Sequence, residues 1–213
     1  LPEVGDPDKP KLVLFFDDFD LVTQNTGFPL DFFSFMRSVA NSNDVGYVTT
    51  SPAPLQKLCH TEDLEESPFF NIFTTVNLEP FKEEEARKLV EEPARSAGWA
   101  MEEEIDWILE LAGGSPYLLQ LTAGLAFERH EHDGIKRDDL ADSAFKESRK
   151  FLEALWEGFE EPEQEVLRSV GAGKSIERRY EYALEALERR GLVRRHGEGC
   201  AIGMGLLGRY VKE

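Results

Sequence analysis

Residues 11–20 read KLVLFFDDFD, an apolar run that ends abruptly in carboxylates. Strands that are covered on both faces of a parallel sheet have such continuous apolar sequences, and ligands bind where these strands end. We therefore predict a buried strand over residues 11–16, with Asp17 and Asp18 at its carboxyl end. Because successive side chains of an extended chain point in opposite directions, one carboxylate can face Mg²⁺ and the other an attacking water. A polar strand end without a ligand is the structural alternative.

The sequence lacks the phosphate-binding loop that usually accompanies such an acid. In P-loop NTPases the strand-end acid holds Mg²⁺ against the phosphates, while a separate G-x-x-x-x-G-K-[ST] loop cradles the phosphates themselves. No segment of the chain matches that pattern. Residues 171–175 (GAGKS) come nearest but lack the first glycine at the required spacing, so we interpret them as coincidence.

The composition favours protein or nucleotide partners over nucleic acid. The 213 residues include 42 acidic and 24 basic ones, and the formal net charge of -18 opposes attraction to nucleic acid and to anionic membranes. No apolar stretch approaches the roughly 18 residues of a membrane span, and residues 1–10 do not resemble a signal sequence. A cytoplasmic location is therefore expected, with Cys59 and Cys200 as free, reduced thiols.

Strands and helices alternate in the first part of the chain. A helix is predicted over residues 29–41, a strand over 45–50 and a further strand over 69–78, a pattern that indicates an α/β fold with a mainly parallel sheet. The predicted apolar stripe of the helix consists of Phe32, Phe33, Phe35, Met36 and Val39.

Two hydroxyl residues lie at the end of the second predicted strand. Thr50 and Ser51 would lie beside the carboxyl end of the first strand, where a hydrogen bond to a γ-phosphate or its attacking water is useful. A helix cap or a turn explains the same residues without a ligand. The residues alone leave both explanations open.

Helices replace strands from residue 81 onward. Gly114 fits a helix end and Pro116 a helix start, which needs no ligand. The polar connector predicted over residues 130–139 contains His130-Glu131-His132, whose adjacent spacing favours exposed residues over a metal site. The predicted helices begin at residue 82 and then cover residues 103–111, 116–126 and 140–158.

The last part of the chain has the element order of a winged-helix domain. Helices are predicted over residues 161–170 and 175–190, followed by hairpin strands over 192–196 and 200–204. The arginines of this part alternate with glutamates. This pattern favours i,i+4 ion pairs on a solvated helix over contacts between the arginines and DNA. These arginines are Arg178, Arg179, Arg189, Arg190, Arg194 and Arg195.

Five segments, taken in order, resemble the STAND-type P-loop ATPases, the signalling branch related to AAA+ enzymes. Residues 12–19 are similar to the Walker B strand, and residues 47–51 are similar to the sensor-1 strand. Residues 71–81 resemble the next strand and the entry to the lid, and residues 83–98 continue the lid. Residues 111–120 (LAGGSPYLLQ) resemble the G-x-P sensor-2 motif.

The resemblance implies an architecture for nearly the whole chain. Residues 1–80 would form a partial P-loop NTPase core, an α/β unit whose parallel sheet lacks the Walker A strand. An α-helical lid over residues 81–130, a connector helix over 131–158 and a winged-helix-like domain over 159–213 would follow.

The resemblance also implies the site residues. It assigns Mg²⁺ to Asp17 and catalysis to Asp18, Thr50 and Ser51. It places Gly114 and Pro116 near the adenine or the sugar. The cofactors would be ATP or ADP with Mg²⁺, in a regulatory switch that hydrolyses ATP during signalling or assembly.

The chain departs from the family pattern in two places. Asp18 replaces the usual glutamate, and its shorter side chain would hold a catalytic water differently. The absent Walker A segment would leave the sheet split and nucleotide binding weak. Since the chain begins without methionine just before the Walker B strand, we expect a piece of a longer protein. An upstream segment or another copy of the chain would then fill the gap, because free strand edges promote association.

Two other functions remain open from the sequence. A non-enzymatic module with a degenerate ATPase fold would use its acidic surface and exposed edge to bind proteins. A winged-helix DNA-binding regulator is the other alternative, and the net charge argues against it.

Overall fold

The computed structural model describes residues 12–42, 45–132, 136–197 and 199–213. The chain divides into two compact units, Leu1–Asn77 and Leu78–Glu213. Each unit has its own hydrophobic core. The finer boundaries at residues 130 and 158 stay predictions.

The first unit contains a small parallel sheet, as the apolar runs predict. Strand β1 (Leu12–Phe16) pairs in parallel with β2 (Val45–Thr49), with Phe16 opposite Thr49. Helix α2 (Leu30–Ser42) connects the two strands. A crossover helix of this kind is what parallel strands require, so the chain returns to the same end of the sheet before β2 begins.

An aromatic core holds the first unit together. Phe19, Phe33 and Phe69 are almost completely shielded from solvent, and the ring centroids of Phe33 and Phe69 are 5.3 Å apart. The core lies on the sheet face that carries Phe16 and Tyr47. Short elements complete it: helices α1 (Asp20–Thr23) and α3 (Glu62–Glu65), and 3-10 helices over Leu55–Leu58 and Pro68–Ile72.

Burial affects two titratable groups of this unit. The hydroxyl of Tyr47 donates to the backbone oxygen of Met36 at 3.1 Å, and burial raises the pKa of Tyr47. Burial, together with the negative charge of Glu65, raises the pKa of Cys59 to about 11. At neutral pH the Cys59 thiol is therefore protonated and a weak nucleophile. Both Cys59 and Cys200 are free.

The prediction that the first strand is buried is wrong, because β1 is largely exposed and one face of the sheet carries exposed apolar side chains. Val13 and Phe15 on β1 are 46% and 76% exposed, and Val48, which lies opposite Phe15, is 45% exposed. Helix α2 packs on the other face, where Met36 contacts the core. The predicted stripe of α2 is wrong at Phe35, which is exposed because the sheet covers a narrower sector of the helix than the apolar sequence suggests.

The strand predicted over residues 69–78 does not form. Pro68–Ile72 is a 3-10 helix, and Ser67 caps it by accepting a hydrogen bond from the backbone N–H of Phe69. Residues 73–78 are irregular, with Val76 and Leu78 exposed. A strand needs a neighbour to satisfy its backbone groups, and among the described residues the sheet contains β1 and β2 alone.

In its described residues, the second unit consists of helices and one hairpin, joined by turns and loops. Glu83–Ser96 forms α4, in whose first turn the three glutamates suit the helix dipole. Ser115 caps α6 by accepting from the backbone N–H of Leu118. The remaining helices are α5 (Ile105–Ala112), α6 (Pro116–His132), α7 (Arg137–Glu157), α8 (Glu161–Gly171), α9 (Glu181–Arg189) and α10 (Gly205–Lys212).

Apart from shifts of up to three residues at the ends of α5 and α7, the helices of the second unit differ from the predicted ones in three places. Helix α6 extends to His132, so the predicted connector begins inside a helix. Helix α9 begins at Glu181 instead of residue 175, after a 3-10 turn over Arg178–Tyr180. Helix α10 was not predicted, because its glycines at 205 and 208 weaken the helical signal. Tertiary packing stabilises α10 in spite of its low helix propensity, since Leu206 and Leu207 are fully buried.

The predicted hairpin is confirmed with shifted ends. Strand β3 (Val193–His196) pairs antiparallel with β4 (Gly199–Ile202). Gly197 has φ +58°, a conformation that glycine adopts without strain. None of the described helices is long and apolar enough to cross a membrane.

Candidate functional site

The parallel register brings the polar ends of β1 and β2 together. The backbone N–H of Thr50 donates to the oxygen of Phe16 at 3.0 Å, and the N–H of Phe19 donates to the oxygen of Thr50 at 2.9 Å. The ladder therefore continues past the last strand residues, and Asp17 and Asp18 lie beside Thr50. The sequence expectation that these side chains meet at one sheet edge agrees with this geometry.

The Thr50 hydroxyl connects both acids. It donates to Oδ1 of Asp17 and accepts from the backbone N–H of Asp18 at 3.0 Å. The hydroxyl of Ser51 donates to the backbone oxygen of Ala53 at 2.7 Å. Each hydroxyl has one proton to donate, so in this structure neither Thr50 nor Ser51 has a proton left for a phosphate.

Asp18 adopts a backbone conformation that few residues tolerate. Its φ is +50°, in the left-handed region, where aspartate and asparagine are the main non-glycine occupants. The turn lets the Asp18 N–H reach Thr50 while Phe19 enters the core. The Asp18 carboxylate itself is exposed to solvent.

Replacing Asp18 by glycine should stabilise the chain relative to alanine at the same position. Glycine has no Cβ to strain at positive φ, so we expect Asp18→Gly to be more stable than Asp18→Ala by roughly 1–2 kcal/mol. Urea unfolding measures the difference. Asp31, an exposed residue of the first turn of α2, is the matched control: there alanine should be the more stable replacement, by up to about 1 kcal/mol. An alanine variant of Asp18 as stable as the glycine variant would contradict the strain.

A pocket of about 360 Å³ opens beside the strand ends. Four of its residues present side-chain oxygens, and two are apolar. The lining residues are Asp18, Asp20, Leu21, Thr50, Ser51 and Pro52. Oxygen ligands are those that hard cations such as Mg²⁺ prefer. No group of three or more histidines, cysteines or acids among the described residues could hold a metal ion by itself.

Asp20 is the one oxygen-bearing residue of the pocket lining to which the sequence predictions gave no role. It is 8% exposed, and its Oδ2 accepts from the Gln24 side chain at 3.1 Å. Its Oδ1 is buried without a hydrogen-bond partner. The third acid in the run DDFD was a possible signal, since Phe19 between the acids anchors the segment in the core.

Gly114 and Pro116 belong to the second unit, where packing explains the glycine. A Cβ on Gly114 would lie 2.5 Å from the backbone oxygen of Phe81 and 2.9 Å from Cβ of Pro80. The N–H of Phe81 also donates to the oxygen of Gly114 at 2.8 Å. Pro116 is the first residue of α6, where its missing N–H costs nothing.

Other candidate binding residues of the second unit have protein partners. The His130 ring stacks on Trp99 with centroids 4.3 Å apart, while the side chains of Glu131 and His132 lie outside the described part of the chain. Arg195 forms ion pairs with Glu181 and Glu188. Arg190 pairs with Glu163 at 2.8 Å.

The fold and the comparisons together define the class of protein. The chain is a helix-rich α/β protein with a small parallel sheet and polar residues gathered at its strand ends. A family model described as Novel STAND NTPase 2 matches residues 7–176, and the chain belongs to this family. The resemblance to STAND-type P-loop ATPases is thereby confirmed.

A solved structure supports the same fold. The chain is similar to the Walker-type ATPase PABY2304 of Pyrococcus abyssi, with a TM-score of 0.61 and 14% sequence identity over 95% of this chain. The match covers 63% of that chain, so this sequence spans less than two thirds of the length of its structural relative. No curated protein matches the sequence.

Proposed function

We propose that the chain is part of a nucleotide-dependent ATPase that works as a regulatory switch. The observation that carries the proposal is the joined end of two parallel strands, where Asp17, Asp18 and Thr50 are connected by hydrogen bonds beside an oxygen-lined pocket. Ligands of open α/β sheets bind at this edge. Membership of the STAND NTPase family agrees with a nucleotide as the ligand.

Each residue at the strand ends has a different proposed role. Asp17 is the proposed Mg²⁺ ligand, and Thr50 orients its carboxylate through the hydrogen bond to Oδ1. Asp18 is the proposed acceptor for the proton of an attacking water, since its carboxylate is exposed. Bound Mg²⁺ would supply positive charge against the phosphates. Thr50 and Ser51 would reach a phosphate only after giving up their present partners.

The remaining assignments rest on the family resemblance. Gly114 and Pro116 keep their proposed place near the adenine or the sugar. ATP and ADP would favour different arrangements of core, lid and winged helix, since differential affinity for two states is what makes a ligand a switch. We propose a cytoplasmic location and protein partners for this switch.

The uncovered sheet face suggests where a Walker A segment would bind. The crossover from β1 to β2 places α2 on one face of the sheet. A strand from an upstream segment could pair with the free edge of β2. The chain would then cross from that strand back over β2 to β1, opposite in direction to the crossover from β1 to β2. Right-handed crossovers would then place its helix on the other face, over Val13, Phe15 and Val48. Such a segment, from the same protein or another copy, would complete the phosphate site.

Calorimetric titration of Mg-ATP and Mg-ADP into the chain tests the nucleotide site. We expect saturable binding that Asp17→Asn weakens by about 10–100-fold, because a neutral amide cannot replace the carboxylate on the metal while it still accepts from Thr50. Asp31→Asn is the matched control and should bind as the unchanged chain does. Heat changes that do not saturate in the unchanged chain would contradict nucleotide binding by this piece.

The exposed apolar face also favours a second candidate function. A protein-interaction module of degenerate ATPase fold would use Val13, Phe15 and Val48 as its contact surface. Saturable nucleotide binding in the titration would exclude a pure interaction module, because such a module would not bind nucleotide.

A further inference from the structure

We propose that Asp20 is a cation-positioning residue, whose side chain turns into the adjacent pocket so that its free oxygen, buried in this structure, accepts a hydrogen bond from water on a divalent cation. The inference rests on the proposed function, in that it takes the pocket beside β1 and β2 as the cation site. Asp20 is not among the strand-end residues to which the family resemblance assigns a role.

The hydrogen bonding of Asp20 is incomplete. Gln24 donates to Oδ2 at 3.1 Å, while Oδ1 has no partner and no contact with solvent. The carboxylate forms no ion pair within the described residues. A buried carboxylate without full compensation is energetically unfavourable, so an unsatisfied oxygen here calls for an explanation.

The surroundings of Asp20 favour a cation over other ligands. The pocket that it lines also contains the exposed carboxylate of Asp18 and the hydroxyl oxygens of Thr50 and Ser51. Two negative charges within one pocket attract a cation and repel an anion. Mg²⁺ retains several of its waters in protein sites, and these waters need acceptors such as a carboxylate oxygen.

The strain at Asp18 lies at the same place. Asp18, with its positive φ, and Asp20, with its unpartnered oxygen, are the two sequence neighbours of Phe19. The side chain of Phe19 is buried in the core. Both features lower stability in the ligand-free chain, and such costs concentrate at functional sites. A cation in the pocket would compensate the second of them, because its water would satisfy Oδ1 once the Asp20 side chain turns into the pocket.

Binding of Mn²⁺ alone, followed by electron paramagnetic resonance, tests the proposal. Asp20→Asn keeps the size of the side chain and an acceptor for Gln24 but removes the charge. We expect this variant to bind Mn²⁺ about 10–100-fold more weakly than the unchanged chain, the effect typical of residues that orient metal ligands. Asp31→Asn, exposed and outside the pocket, should bind Mn²⁺ as the unchanged chain does.

Thermal unfolding provides a readout without any ligand. Asp20→Asn should raise the unfolding midpoint in the absence of metal, because it removes an uncompensated buried charge, and Mg²⁺ should stabilise it less than it stabilises the unchanged chain. If the variant fails to fold, Asp20→Ser replaces it in the Mn²⁺ measurement with the same expectation. Mn²⁺ affinity within about threefold of the unchanged chain, or absence of Mn²⁺ binding by the unchanged chain, would overturn the proposal.

The metal titration contains no nucleotide, so its outcome is independent of the calorimetric one. Cation binding that depends on Asp20 in a chain that binds no ATP would reject nucleotide binding by this chain and keep this inference. Nucleotide binding by the chain, together with an unchanged Mn²⁺ affinity in Asp20→Asn, would support the proposed function and reject the role of Asp20.

Discussion

Truncation of Phe69 to alanine is expected to unfold the first unit while the helices of the second unit remain. Phe69 is completely buried, and its ring lies 5.2–6.2 Å from those of Phe19, Phe33, Phe70 and Phe73. Loss of a buried phenylalanine costs about 3–5 kcal/mol. Whole domains are stable by only about 5–15 kcal/mol, and the core of this unit is small.

Limited proteolysis with mass spectrometry, together with far-ultraviolet circular dichroism, distinguishes the two units. We expect rapid cleavage within the first unit of Phe69→Ala and retention of most of the helical signal, because among the described residues the second core includes none from the first unit. Phe35→Ala is the control, since that ring is 64% exposed. Equal protease resistance of both variants would show that Phe69 is not the centre of the core.

Replacement of Gly203 by alanine is expected to disrupt the hairpin end of the second unit. The Cβ of alanine would overlap the backbone oxygen of Gly191, and the N–H of Gly203 already donates to the oxygen of Leu192 at 2.8 Å. Because both neighbours are backbone atoms, no side-chain rotation relieves the overlap. We expect a loss of about 1–3 kcal/mol, the usual cost of overpacking.

Chemical denaturation of the second unit measures this loss, and Gly124 offers the matched control. Gly124 lies in α6 with open space around its Cα, so Gly124→Ala should stabilise the protein by roughly 0.5–1 kcal/mol through helix propensity alone. Opposite signs for the two substitutions are therefore expected. A stabilising Gly203→Ala would contradict the close approach of Gly203 and Gly191.

Much of the architecture was predictable because it depends on local pattern. Continuous apolar runs indicate β1 and β2, and the 3.6-residue period indicates the helix between them. The order of short motifs, from the acids after β1 to the glycines before α6, was enough to identify the family. The prediction that the strand ends meet required one further rule, that neighbouring strands in such an α/β chain run parallel.

The predictions that failed depend on distant parts of the chain. The apolar segment over residues 69–78 has the composition of a strand, but strand formation requires a hydrogen-bonding neighbour that composition does not reveal. Phe35 is apolar and in register with the helix stripe, yet the area of sheet beneath the helix decides its exposure. Helix α10 forms through packing of Leu206 and Leu207 despite two glycines.

The sequence by itself determined the family, the strand-end acids and the helical character of the second unit, because these follow from residue order and from periods of two and 3.6 residues. Tertiary structure alone decided that the Thr50 hydroxyl is shared by Asp17 and Asp18, that Asp18 is strained, and that one oxygen of Asp20 has no partner. Hydrogen bonds between residues more than 30 positions apart, and burial, depend on how the whole chain packs, so no local pattern contains them.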